Sequence, residues 1–378
     1  MKKICAALVI ISLMLYNAAV GETEFVDIAA AKLSSAKSAC ILEEVSGRVL
    51  FEWNARERLP MASTTKIMTC LLALENSSLD DIVTTSKNAY GQPGTSIYLL
   101  LGETLSMRDM LTGLMLASGN DAAVAIAEHV GGTLAGFLDM MNARAQSLGA
   151  YDTHFNSPNG LPTDDHYTTA YDLALITREA MKHHVFRELV STQRATIPWA
   201  EHDYDRVLTN KNRLLSDYEG ATGVKTGFTN AAGRCLAFGA VRNGMEVVGV
   251  VLNCSDWFDE SMRLMDKVFG EFTMLSLLRS GDPVRSVDIT DGIEPTLPLI
   301  LKGDLEAPFG LTESPNIRLV IPDSVRAPIK AGDTVGLVRL YAGDAVVQER
   351  EVIAARSVEQ RSFLGGIRQI LRHWLMLT

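Results

Sequence analysis

Three short polar motifs, in a fixed order along 378 residues, constrain this chain most: Ser63-Thr64-Thr65-Lys66, Ser118-Gly119-Asn120 and Lys225-Thr226-Gly227. Each has a plain structural reading when taken alone. Ser63 can cap an ordinary helix, and Ser118, Asn120 and Asp121 are all residue types that favour caps. Lys225 can blunt an exposed edge strand. Together they describe a reactive centre. Residues 63 and 66 lie about one helical turn apart, so their side chains share a face. A serine at a helix N-terminus sits where free N–H groups favour developing negative charge. Its hydroxyl needs a base; Lys66 is the nearest, and it serves only as a neutral amine. Burial and a second cation both lower a lysine pKa, and Lys225 supplies that cation if the motifs meet. Ser118 and Asn120, in a polar loop between two helices, can project into the same cleft. Gly227 lets a peptide approach the strand backbone closely. Lys225 and Thr226 can hold a carboxylate, and the N–H that follows can serve an oxyanion.

The surrounding pattern predicts an α+β fold, most simply one antiparallel sheet covered by helices. β-like runs at 39–42 and 49–53 flank a turn through Ser46-Gly47-Arg48 and predict a hairpin. Helical spacing follows over 65–74, 105–117, 121–129, 134–148 and 170–183. Runs at 234–241 and 245–252 flank Arg242-Asn243-Gly244, a strong hairpin signal. Around Arg279-Ser280-Gly281-Asp282-Pro283 the texture changes to short β runs at 284–289, 296–301, 317–321, 335–341 and 346–353. These predict a small all-β domain with no catalytic constellation.

Both ends differ from the middle. Lys2 and Lys3, the apolar run 4–16 and the small residues Ala19-Val20-Gly21 have the form of a secretory signal peptide. Over 362–377, Phe363, Leu364, Ile367, Ile370, Leu371, Trp374 and Leu375 fall on one helical face opposite Arg361, Arg368 and Arg372. That is the pattern of a helix lying in a membrane interface. The expected organisation is therefore a signal peptide over 1–21, a catalytic domain over 22–280, a β-rich domain over 281–356 and an amphipathic helix over 357–378. The net charge of −10 argues against a nucleic-acid partner. Of the five cysteines, Cys5 falls in the signal segment. Cys40, Cys70, Cys235 and Cys254 are expected as buried thiols, since several sit among apolar neighbours. No spacing suggests a metal site.

The chain resembles the low-molecular-mass penicillin-binding proteins that act as D-alanyl-D-alanine carboxypeptidases. The likeness runs from about residue 22 to the end, through Met61-Ala62-Ser63-Thr64-Thr65-Lys66-Ile67-Met68, Ala117-Ser118-Gly119-Asn120-Asp121-Ala122, Ser157-Pro158-Asn159-Gly160-Leu161 and Gly223-Val224-Lys225-Thr226-Gly227-Phe228-Thr229. The run Ala232-Gly233-Arg234-Cys235-Leu236 looks like the Bacillus and Clostridium type. This resemblance implies that Ser63 is acylated, that Lys66 is the general base, and that Ser118 and Asn120 complete the proton path and hold the substrate amide. It implies electrostatic support from Lys225, carboxylate binding by Thr226, an oxyanion hole from the Ser63 and Phe228 N–H groups, and a substrate-binding place for Gly227. Lys211 matches a basic residue that assists carboxylate binding. The implied substrate is a peptidoglycan stem peptide ending in D-Ala-D-Ala, with β-lactams as covalent inhibitors, no cofactor, and a site on the outer face of the cytoplasmic membrane. Two other readings compete. A serine β-lactamase of class A would carry a Glu-x-x-x-Asn setting, absent between Asp121 and Val224, and has no need of residues 284–378. A non-catalytic cell-wall-binding scaffold would have no need of intact Ser63, Lys66 and Lys225.

Overall fold

The computed structural model describes residues 36–361. The expected signal peptide and the amphipathic helix over 362–377 lie outside the described residues. At the centre is a five-stranded antiparallel sheet in the order Val49–Trp53, Ala36–Glu43, Met245–Cys254, Gly233–Arg242, Ala221–Thr229. The first hairpin thus docks on strands from the far end of the domain: Cys40 pairs with Val250 and Ile41 with Gly249. Side chains alternate between faces, as period-two geometry requires. Cys40 and Leu42 pack with Ile67, Met68 and Leu71 on one side. Ala39 and Ile41 pack with Leu264, Met265 and Val268 on the other. Burial on both faces is why these strands read as nearly unbroken apolar runs.

The first face is covered by the helices predicted from spacing. Lys66–Asn76 is buried from Lys66 through Ala73, and Asn120–Gly131, Leu134–Ser147 and Ala170–Met181 surround it. The helix Trp257–Glu271, not anticipated from sequence, covers the second face. The stretch expected as one helix over 105–117 is divided. Thr104–Ser106 pairs with Ile82–Thr84, and Ser106 then caps the helix Met107–Thr112, its Oγ accepting from Asp109 N–H at 3.1 Å. The helix widens into a π turn, Gly113–Ala117, closed by the Ser118 N–H on the Gly113 carbonyl. Such a widened turn is a frequent accompaniment of functional sites.

Beyond the catalytic domain the β runs form a six-stranded sheet in the order Pro315–Val320, Thr334–Ala342, Ala345–Ala354, Thr296–Leu301, Pro283–Thr290, Ser324–Arg326. Its core includes Val287, Leu297, Leu299, Val338 and Leu340. Pairing of this module begins ahead of the boundary expected near 280. Phe272–Leu278 pairs with Leu305–Gly310, and Leu275, Leu277 and Leu278 pack on the module core. Arg48, in the turn of the first hairpin, reaches across to it. The guanidinium pairs with Glu313, donates to the Pro308 carbonyl and lies over the Phe272 and Phe309 rings.

Cys40, Cys70 and Cys235 are buried free thiols, and Cys254 is buried as well. Among the described residues no helix is long and apolar enough to cross a membrane, and no cluster of ligating side chains could hold a metal.

Candidate active site

Ser63 lies in a single 3-10 turn, Ala62–Thr65, that runs directly into the helix beginning at Lys66. Ala62, the residue before it, takes φ +49°, a left-handed conformation that an alanine adopts only under constraint. The constraint is visible. Gly160 presses on the turn so closely that a Cβ there would lie 1.9 Å from the Ala62 carbonyl oxygen. Thr65 Oγ1 donates to the same oxygen at 2.8 Å.

Lys66 is completely buried. Its Nζ lies 3.0 Å from Ser63 Oγ, 2.7 Å from Asn120 Oδ1 and 2.6 Å from the Asn159 carbonyl oxygen. A neutral amine has two N–H donors and one lone pair. The two carbonyl oxygens take the donors, and the lone pair is left for the serine proton. Electrostatics favour that state. Burial, then the nearby Lys225, then Lys211 push Lys66 well below the ordinary lysine range, against a weaker opposing pull from Asp121. Lys225 is buried too, and burial followed by Lys211 lowers it to about 7. Its Nζ donates to the Thr226 carbonyl at 3.1 Å.

Ser118 stands at the end of the π turn with φ +65°, and its Oγ is buried without a hydrogen-bond partner. A buried hydroxyl left unsatisfied is costly and calls for an explanation, and this one keeps its hydrogen-bonding capacity unused within the protein. The segment 93–99 anchors the motif. Asn120 N–H donates to the Thr95 carbonyl and Asn120 Nδ2 to the Pro93 carbonyl, fixing the amide so that Oδ1 faces Lys66. The buried Asp121 carboxylate accepts from Ser96 Oγ and from the N–H groups of Ile97 and Leu99.

The Lys225-Thr226-Gly227 motif lies on Ala221–Thr229, the edge strand of the sheet. Lys225 and Gly227 share one side of this strand and Thr226 and Phe228 the other. The missing side chain of Gly227 is what lets the strand meet the nucleophile turn: a Cβ there would sit 2.9 Å from Ser63 N and 3.0 Å from Thr64 N. Those contacts are backbone, so Gly227→Ala is expected to push strand and turn apart and slow acylation by a β-lactam by roughly 10²-fold. An unchanged acylation rate would show that the close approach is incidental. Thr226 is buried and Phe228, the residue after Gly227, is 60% exposed. Lys211 reaches solvent, yet the protein around it lowers its pKa, and its charge acts on both buried lysines.

The structure thus joins Ser63, Lys66 and Asn120 by direct hydrogen bonds and brings Gly227 against the serine. Two participants carried no sequence signal for a role. Asn159 acts through its backbone carbonyl, which side-chain reasoning does not reveal. His166 contacts Thr65 from a loop a hundred residues away in the chain.

The sequence model of D-alanyl-D-alanine carboxypeptidases matches residues 26–256. The chain belongs to this family. The module after it matches the C-terminal domain of penicillin-binding protein 5 over residues 272–360. The D-alanyl-D-alanine carboxypeptidase DacF of Bacillus subtilis is 31% identical over 352 residues, covering 90% of each chain. The crystal structure of the D-alanyl-D-alanine carboxypeptidase DacD from Francisella tularensis superposes with a TM-score of 0.66 at 27% identity, covering 90% of this chain and 98% of that one. Penicillin-binding protein 5 from Haemophilus influenzae, at 24% identity and a TM-score of 0.74, shares the fold over 90% of this chain. This carboxypeptidase is a serine peptidase acting on D-Ala-D-Ala peptides, with the helix-covered sheet and β-rich module that its sequence predicts.

Proposed function

We propose that this carboxypeptidase removes the terminal D-alanine of peptidoglycan stem pentapeptides through an acyl-enzyme on Ser63. The observation that carries the reading is the wholly buried Lys66 amine, 3.0 Å from Ser63 Oγ with carbonyl oxygens of Asn120 and Asn159 to take its two donors. Neutral Lys66 takes the Ser63 proton as Oγ attacks the carbonyl between the last two D-alanines. The oxyanion forms between the N–H groups of Ser63 and Phe228. The proton passes by way of Ser118 Oγ to the departing amine, the C–N bond breaks, and D-alanine leaves. Water then attacks the ester by the same path in reverse and restores Ser63. The substrate carboxylate is held by Thr226 with charge from Lys225 and Lys211. A β-lactam presents the same carbonyl to Ser63 and acylates it. A stem pentapeptide mimic should yield free D-alanine stoichiometrically; rapid β-lactam turnover without D-alanine release would favour the β-lactamase reading instead.

Export and attachment to the outer face of the cytoplasmic membrane complete the proposal. They rest on the signal-like residues 1–21 and the apolar stripe of 362–377. Arg368 and Arg372 would each add on the order of 1 kcal/mol of attraction to anionic lipid, and partial burial of Ile367, Leu371 and Trp374 supplies the rest. Placing Asp at both Ile367 and Leu371 is expected to move the enzyme from membranes to the soluble fraction with D-alanine release unchanged. Retention on membranes would rule this segment out as the anchor.

A further inference from the structure

Behind the nucleophile turn lies a buried histidine that the chemistry above does not use. His166 is 6% exposed, on the loop that also carries Asn159 and Gly160. Its Nδ1 accepts from the Asn156 backbone N–H at 3.0 Å, so that nitrogen carries no proton. The ring hydrogen is therefore on Nε2, which lies 2.8 Å from Thr65 Oγ1 and donates to it. The Thr65 hydroxyl proton points in turn to the Ala62 carbonyl at 2.8 Å. Every donor and acceptor in this chain is matched by a neutral ring of one tautomer. The chain ends on Ala62, whose left-handed backbone sets the direction in which Ser63 leaves the turn.

We infer that His166 is a positioning residue for the nucleophile: through Thr65 it holds the Ala62 carbonyl and so fixes Ser63 Oγ against Lys66. The fold supports this from two further directions. Gly160 closes on the same Ala62 oxygen, and the Asn159 carbonyl beside it takes one N–H of Lys66. One loop therefore grips both the serine turn and the lysine, with His166 as its side-chain contact to the turn. A ring kept neutral suits this task. A proton on Nδ1 would face the Asn156 N–H, and burial, then the charge of His154, lower His166 to about 4.

The inference rests on Ser63 being the acylated residue, and the test separates the two. The rate of acylation by a fluorescent penicillin is measured in the full chain for His166→Phe, His166→Gln, Thr65→Val and the double variant His166→Phe/Thr65→Val, with Ser63→Ala as control and thermal unfolding followed throughout. His166→Phe keeps an aromatic ring, a somewhat larger one, but loses the donor and is expected to acylate roughly 10–100-fold more slowly, the scale of a small misplacement of a reacting atom. His166→Gln restores an amide donor near the Nε2 position and is expected to recover most of that rate. If His166 works through Thr65, the double variant is no slower than the slower single one. Additive losses, a His166→Gln rate as low as that of His166→Phe, or a His166→Phe rate equal to wild type would each overturn the inference. If His166→Phe unfolds, His166→Gln and Thr65→Val still decide it, because the first should acylate nearly as wild type and the second should not. Labelling of Ser63→Ala would instead overturn the nucleophile assignment.

Discussion

Ser63→Ala is expected to abolish covalent labelling by penicillin and to cut D-alanine release by at least about 10⁴-fold, the scale on which a serine nucleophile acts. The fold should survive. Ser63 Oγ makes one hydrogen bond, to Lys66 Nζ, whose other two partners, Asn120 and Asn159, remain. Loss of a part-buried hydroxyl that makes one such bond costs about 1 kcal/mol, a small shift in unfolding temperature. The decisive measurement is mass spectrometry of the protein after incubation with a β-lactam. The wild type should gain the mass of the opened lactam, and the alanine variant should gain nothing at any concentration. An adduct on the variant at the wild-type rate would place the nucleophile elsewhere.

Lys66→Arg carries the second large effect. A guanidinium stays protonated at every accessible pH and cannot take the serine proton. Acylation should fall by roughly 10²–10⁴-fold, the usual contribution of a general base, although the positive charge is kept. The wild-type pH profile should show the same chemistry from the other side. Because Lys66 is held well below the ordinary lysine range, its amine is neutral above that lowered pKa and gains a proton below it. Acylation is therefore expected to be full at high pH and to drop as pH falls through the lowered value. Lys225, lowered to about 7 by burial and the charge of Lys211, gains its own charge as pH falls through that value and discourages protonation of Lys66. An acid limb that persists unchanged in Lys66→Arg would assign it to another group.

Much of this was legible in the sequence because local pattern and local structure agree. The hairpin at Asn243-Gly244, the apolar strands beside it and the helices at 120–131 and 170–181 follow from turn chemistry and periodicity alone. What escaped has identifiable causes. The helix Trp257–Glu271 buries Ser261, Leu264, Met265 and Val268 at helical spacing, but its apolar stripe is thin and interrupted by Glu260 and charged neighbours. The π turn before Ser118 has the residue pattern of an ordinary helix, and only the backbone bond from Ser118 to Gly113 distinguishes it. The strand Phe272–Leu278 precedes the Gly and Pro signals that marked a boundary, and its partner, Leu305–Gly310, lies beyond them. In the site, motif residues could be found because chemistry demands their types. The Asn159 carbonyl and the His166–Thr65 contact could not, since they depend on which loops the fold brings together.

The pairing of Ala36–Glu43 with Met245–Cys254 bears on how the enzyme comes to be folded at all. A ribosome delivers the first hairpin long before its neighbour in the sheet exists. Until Met245–Cys254 has been made, Ile41 and Leu42 have no central strand to lie against, and the two apolar layers cannot close around the sheet. Contacts so distant along the chain fold slowly, because loop closure must precede any gain from pairing. The nascent polypeptide is thereby kept from locking into its finished form early. Until those last strands arrive, the turn at Ser63 also lacks Ala221–Thr229, the strand whose Gly227 lies against it in the finished fold.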